Sequence, residues 1–317
     1  MKFGVNILSR GPMGSRDGYI TVAAAAERLG FGFVSVNDHV VVPGDIASRY
    51  PYSEEGDWAG AAAGQCLEQL SALNFLAGCT QKVQLLTSVM VVPHRHAILA
   101  AKMIATADVL SNGRVILGCG AGWMKEEIEL LGAPYAERGK VTDEYIAAFR
   151  ELWSKPRPTY KGKHVAFESV LFEPKPVQKP GVPIWVGGES KAAIERAIRL
   201  GDAWYPGSSN PANRLDTTER VVAAMAGFKK RAAAAGRDTS KIGLAHVVLW
   251  PVAFEAEKAI SGGRRTFTGT SAELIGDAKT LAGAGISHVN LSFHAPDVPG
   301  IVARMEKFAG EVMGKVG

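Results

Sequence analysis

An aspartate and a histidine, Asp38-His39, stand two residues after the apolar run FVSV. Histidine titrates near neutrality and suits proton transfer, and a neighbouring carboxylate can raise its basicity. Successive residues of an extended segment point to opposite sides, so the two side chains need not touch. The structural alternative is that Asp38 caps the loop and His39 is a satisfied polar residue. A second constellation, Gly187-Gly188-Glu189-Ser190, opens a helical pattern directly after the run PIWV. Two glycines leave backbone N–H groups accessible, Ser190 can cap the helix, and the helix dipole favours a phosphate. An ordinary capped strand-to-helix turn has the same pattern. The third, Gly118-Cys119-Gly120-Ala121-Gly122-Trp123, approaches a dinucleotide fingerprint but has Trp123 at the third glycine position. Its small residues would let a planar ring approach the backbone, with Trp123 packed nearby; a tight loop needing positive φ is the bland alternative.

The elements that position these residues alternate from end to end. Apolar runs begin at Lys2, Phe33, Val83, Arg114, Pro183, Asp202, Lys241 and Ser287. Helical periodicity follows at 19–29, 64–77, 97–110, 141–153, 191–200, 213–235, 272–284 and 299–312. Eight strands alternating with eight helices predict a (β/α)8 TIM barrel, read as one domain over 1–317. Glycines at Gly30 and Gly32, Gly113, Gly201, and Gly283 and Gly285 are expected to end helices in the left-handed conformation. Two long connections, 38–63 and the segment after strand four, leave C-terminal strand ends, the face where barrel enzymes carry their sites. A third, 160–181, reads as a hairpin with a proline-rich exit.

The strand ends exclude several barrel chemistries. A Schiff-base aldolase needs a lysine there, but Lys2, Lys82 and Lys241 stand at or just before strand starts. His94-x-His96 reads as a polar loop before a helix, and no metal site is expected. No GxSxG elbow occurs. With 317 residues, 47% hydrophobic and 21% charged, the chain can bury a large core and is not disordered. A net charge of +5 with scattered basic residues gives no nucleic-acid motif or surface. Cys66, Cys79 and Cys119 lack CxxC spacing, and no apolar stretch approaches the ~20 residues of a membrane span. The opening MKFGVNILSRG is too short in its apolar run for a signal peptide, so a soluble, reduced, cytoplasmic protein is expected. The sequon at Asn290 lies in a strand-like run and is discounted.

Taken together, SVNDH, LLTSVMVVPHRHA, RVILGCGAGWMKEE, IWVGGES, GDAWYP and FTGTSAELIGDAKTLAGAGISHVNL resemble the bacterial-luciferase-like flavin monooxygenases and their deazaflavin-dependent relatives. Asp38-His39 and Ser88-Val89 make the chain most similar to the coenzyme F420-dependent subgroup. The resemblance implies hydride transfer between reduced F420 and a small organic substrate, or monooxygenation with reduced FMN and dioxygen. It implies His39 near the reacting C5 of the ring with Asp38 tuning it, and a cis peptide at Ser88-Val89 against the central ring. It places the phosphate at Gly187, Gly188, Glu189 and Ser190, the cofactor along Gly120, Gly122 and Trp123, and Trp204 near the mouth; Asn6 completes the cofactor-binding set. Tyr50, Tyr52 and Trp58 would form an apolar lid. A homodimer through barrel helices two and three, which are Ala-rich, and a separate reductase are further expectations. The rivals are a sugar-phosphate isomerase or lyase using the GGES turn, and a non-catalytic flavin-binding barrel.

Overall fold

The computed structural model describes residues 1–58, 60 and 64–316. Ala59 and Ala61–Ala63, part of the long second connection and of the Ala-rich run, lie outside the described residues. Among the described residues the barrel strands are β1 (Lys2–Ile7), β2 (Phe33–Val36), β3 (Gln84–Thr87), β4 (Val115–Gly120), β5 (Ile184–Gly187), β6 (Ala203–Tyr205), β7 (Gly243–Pro251) and β8 (His288–Ser292). Each pairs in parallel with its neighbours, β8 with β1 at Lys2↔His288. The β3–β4 pairing, Leu85↔Val115, completes a closed eight-stranded barrel. After β3 the chain passes through Ser88–Val89, whose peptide is cis, and re-forms a short strand at Met90–Val91 beside β4. The expected hairpin is present, Tyr160–Lys161 pairing antiparallel with Ala166–Phe167.

The helices are α1 (Arg16–Leu29), α2 (Gln69–Cys79), α3 (Ala97–Leu110), α4 (Lys125–Leu130), α5 (Arg138–Ser154), α6 (Lys191–Leu200), α7 (Thr218–Ala234), α8 (Ser271–Gly283) and α9 (Val298–Glu311). Their starts are set by caps that periodicity does not reveal. α2 begins at 69 rather than 64 because the Glu68 carboxylate accepts from the N–H groups of Leu70 and Ser71. α7 begins at 218 rather than 213 because Thr217 accepts from Arg220 N–H, while Pro211–Asn213 makes only a 3-10 turn. Gly30, Gly113 and Gly285 have the expected positive φ, but Gly32, Gly201 and Gly283 do not: Gly283 is still the last residue of α8, and Gly201, at φ −84, leaves α6 directly in extended conformation.

Two cores flank the strands. Phe33, Leu86, Ile116, Trp185, Tyr205 and Val247 fill the barrel's interior. The larger core lies between strands and helices; α3 enters it through Ala97, Ala100, Ala101, Ile104 and Ala105, small side chains that let it sit close to the sheet. Strand periodicity therefore sends alternate residues to two apolar layers, which is why the strands read as continuous apolar runs. No described helix is long and apolar enough to cross a membrane.

Candidate active site

The segment leaving β2 carries Asn37, Asp38 and His39, and each is anchored differently. Asn37 Oδ1 accepts from Ser9 N–H at 3.0 Å, tying the ends of β1 and β2 together. Asp38 turns away from His39. Its carboxylate accepts two bonds from Arg95, at 2.9 and 2.8 Å, and one from Val91 N–H at 2.9 Å. Burial would push the Asp38 carboxyl up, but the Arg95 guanidinium, the nearby His94 and the Val91 N–H hold it below the usual carboxylate range. The expectation that Asp38 tunes His39 is thus corrected: alternation along the extended chain points the two apart.

The partner of His39 is Glu127, which sequence reading missed. His39 Nδ1 lies 2.7 Å from Glu127 Oε2, and the other carboxylate oxygen accepts from Val40 and Val41 N–H at 2.6 and 3.1 Å. Burial raises the Glu127 carboxyl; its bond to His39 and the charges of His94 and His39 outweigh this and keep it low. A carboxylate on Nδ1 fixes the neutral ring as the Nδ1–H tautomer and leaves Nε2 able to accept a proton. Glu126, next in the same first turn of α4, accepts from Ala47 and Ser48 N–H at 3.0 and 3.1 Å. Two adjacent glutamates of one short helix therefore hold the connection after β2. His94 sits between the two acids, 3.7 Å from Asp38 and 3.8 Å from Glu127, and its burial pulls the imidazole below its usual range.

Above these groups lies a cavity of about 300 Å³ at the C-terminal face, lined by residues including Asn6, His39, Ser88, Val89, Trp123 and Tyr205. That is the lower end of the range for small-molecule sites, roughly 300–1,000 Å³. Its outer wall is aromatic. The His39 and Trp58 ring centroids are 4.1 Å apart, Tyr50 meets Trp123 at 5.2 Å, and Tyr50 meets Tyr52 at 5.7 Å. Its floor is polar: Asn290 donates to Tyr205 Oη at 2.9 Å and to Ser35 Oγ at 2.7 Å, Ser35 donates to Asn6, and Ser88 Oγ lies 2.9 Å from Tyr205 Oη. The discounted sequon residue is thus wholly buried inside the barrel.

Val89 lies against the backbone of β4 and β5: a Cβ at Gly120 would come within 3.2 Å of its side chain and one at Gly187 within 3.0 Å. Gly120 and Gly122 are not among the residues lining this cavity, whereas Trp123, expected beside them, is. Gly122 has φ +84, and a Cβ there would sit 2.6 Å from Val91 and 2.9 Å from Ile128, so packing demands this glycine. Gly122→Ala is expected to destabilise the fold by about 1–3 kcal/mol through strain and overpacking, measured as a lowered urea midpoint. An unchanged midpoint would show that Val91 and Ile128 can move aside.

The turn after β5 places Gly187 and Gly188 on the cavity wall. Ser190 caps α6, accepting from Ala193 N–H at 3.2 Å. The Glu189 side chain is committed elsewhere, accepting from Gly207 N–H at 2.5 Å and Asn210 Nδ2 at 2.8 Å. Burial raises its carboxyl despite those bonds. Trp204 does not reach the mouth. It points outward from β6, donates Nε1–H to Gly188 O at 2.9 Å and stacks on Phe228 at 4.8 Å, while Tyr205 faces the cavity instead. A three-residue strand carries too little pattern to fix which of two adjacent aromatics turns inward.

The barrel and this rim define a family. The model for luciferase-like monooxygenases matches residues 1–288, and the chain belongs to that family. Among its relatives is the uncharacterized protein Rv0940c of Mycobacterium tuberculosis (strain ATCC 25618 / H37Rv), 30% identical over 214 residues, 68% of this chain and 72% of that one. Another is the FMNH(2)-dependent dimethylsulfone monooxygenase of Pseudomonas putida, 30% identical over 199 residues, 62% of this chain and 52% of that one. Among solved structures, an F420-dependent secondary alcohol dehydrogenase in complex with an F420-acetone adduct aligns with a TM-score of 0.75 and 20% identity, covering 100% of this chain and 99% of that one.

Proposed function

We propose that this enzyme transfers hydride between reduced coenzyme F420 and a small organic substrate, with His39 as its proton-transfer group. The observation that carries the reading is the His39–Glu127 pair: a histidine oriented by a buried carboxylate, its ring against Trp58 at the wall of a cavity. The residues present fit a flat ring, since Val89 lines the floor side, aromatic side chains form the opposite wall, and the Gly187-Gly188 turn leads to the α6 N-terminus where a phosphate would be favoured. When bound, the reduced deazaflavin supplies hydride from C5 and reacts poorly with oxygen. His39 then has one task, to hold or accept a proton at Nε2, and Glu127 keeps its ring in the tautomer for it. Tyr50, Tyr52, Trp58 and Trp123 exclude water from the reacting centre.

FMN-dependent monooxygenation is the second reading, favoured by the Pseudomonas relative whose name states dependence on FMNH(2); His39 moves a proton at the same atom, and a separate reductase supplies the reduced cofactor. Purified protein titrated separately with F420 and FMN, followed by fluorescence, is expected to bind F420 the more tightly. Tight FMN binding with none to F420 would reverse the order. We further take 1–317 as one cytoplasmic barrel domain that dimerises through α2 and α3. Those helices leave Phe75, Leu99 and Leu110 38%, 56% and 61% exposed, apolar surface that a second copy would cover.

A further inference from the structure

The acids around the cavity are already engaged. Asp38 binds Arg95, Glu127 binds His39 and two N–H groups, Glu126 binds two more, and Glu189 binds Gly207 and Asn210. One cation is not. Arg10, just past the end of β1, lines the cavity with its guanidinium carbon 5.3 Å from the Trp58 ring centroid. Among the described residues no carboxylate or carbonyl accepts a hydrogen bond from it, whereas Arg95 has two carboxylate partners, Asp38 and Glu68. A guanidinium resting on an indole, partly shielded from water and short of acceptors, favours an oxyanion in front of it.

Barrel order decides which anion. Going round through β8, β7 and β6, or through β2, β3 and β4, β1 and β5 are four strands apart, so the strand that leads to Arg10 is opposite the one that leads to the glycine turn. A cofactor with its phosphate end at that turn would therefore direct that end to the side of the barrel opposite β1. His39 is near Arg10, for Trp58 touches both: its ring is 4.1 Å from the imidazole and 5.3 Å from the guanidinium carbon. His294, at the end of β8, lines the same cavity and can donate one hydrogen bond, and Leu8, Val91 and Leu249 supply apolar wall.

Resting on the oxidoreductase reading, we propose that the substrate is a small organic acid, an apolar body bearing a carboxylate or sulfonate, whose charged end Arg10 holds so that the body lies beside His39. The test uses benzoate, benzenesulfonate and the neutral benzamide as probes, titrated by calorimetry into apoprotein and into cofactor-saturated protein at low salt. At least one anion is expected to bind about tenfold or more tightly than benzamide, and the stronger of the two names the headgroup. Arg10→Gln should bring that anion to within about twofold of benzamide, Arg10→Lys should keep part of the preference, and the cofactor's Kd should stay unchanged in both. Equal binding of anion and benzamide, no anion binding at all, or an Arg10→Gln variant that weakens the cofactor while keeping the anion preference would each overturn the proposal. Arg10-dependent anion binding by a protein that takes up neither F420 nor FMN would uphold the anion site and refute the oxidoreductase reading alone.

Discussion

Replacing His39 with alanine is expected to lower turnover about 10²–10⁴-fold, the range for loss of a positioned proton-transfer group. The variant should fold, because His39 leaves no buried charge stranded without other partners: Glu127 keeps the N–H bonds of Val40 and Val41. Cofactor binding should shift by less than about threefold, whereas the rate of the chemical step in a single turnover falls by the full factor. Glu127→Gln separates orientation from transfer. It has one acceptor oxygen where Glu127 uses two, so an oxygen kept on His39 Nδ1 turns the amide NH2 toward the Val40 and Val41 N–H groups; with the negative charge gone and the support loosened, the rate should fall by less than in His39→Ala and the pH profile should change shape. A loss of less than threefold in His39→Ala would return the residue to a structural role.

Arg95→Met is expected to cost about 3–5 kcal/mol of stability at neutral pH, because it leaves the Asp38 carboxylate buried without its cation. The pH dependence identifies the cause. In the natural protein Asp38 is held below the usual carboxylate range, so its contribution is present above about pH 4 and is lost as pH falls through the lower folded value. Without Arg95, burial dominates and the carboxyl rises, so the variant loses stability as pH increases through that raised value. The gap between the two proteins should therefore be small in acid and widen toward neutrality, as read from urea midpoints between pH 4 and pH 7. Adding Asp38→Asn to the variant should recover much of the loss, since the stranded charge is then gone. A gap independent of pH would assign the cost to lost packing of the Arg95 stem.

The barrel was legible because its signals are local and repeated: each apolar run and each helical period names its own element, and eight repetitions leave few other architectures. Asp38-His39 and the glycine turn after β5 were legible because strand ends mark the face where they sit. The partnerships were not. Glu127 lies 88 residues from His39, in the long segment after strand four, where nothing marks it as a partner, and only the closed barrel brings α4 against the β2 exit. Arg95 was read within a polar loop, with no hint that it neutralises Asp38 57 residues away. Trp204 went astray because the facing of a short strand depends on register with its neighbours, which a single run cannot supply. Gly120 and Gly122 were read for what a bound ring might require, when side chains of the protein itself stand where a Cβ would go, Val89 at Gly120 and Val91 and Ile128 at Gly122.

The adjacent glutamates of α4 have a practical consequence for altering the reaction. Because Glu126 and Glu127 bind the backbone at Val40, Val41, Ala47 and Ser48, the cover of the pocket and the orientation of its histidine share one mechanical support. Grafting a relative's 40–58 loop to accept a bulkier molecule would leave that loop unmoored unless Lys125–Leu130 travels with it. The exchangeable unit of this enzyme is two stretches of chain, to be moved as a pair.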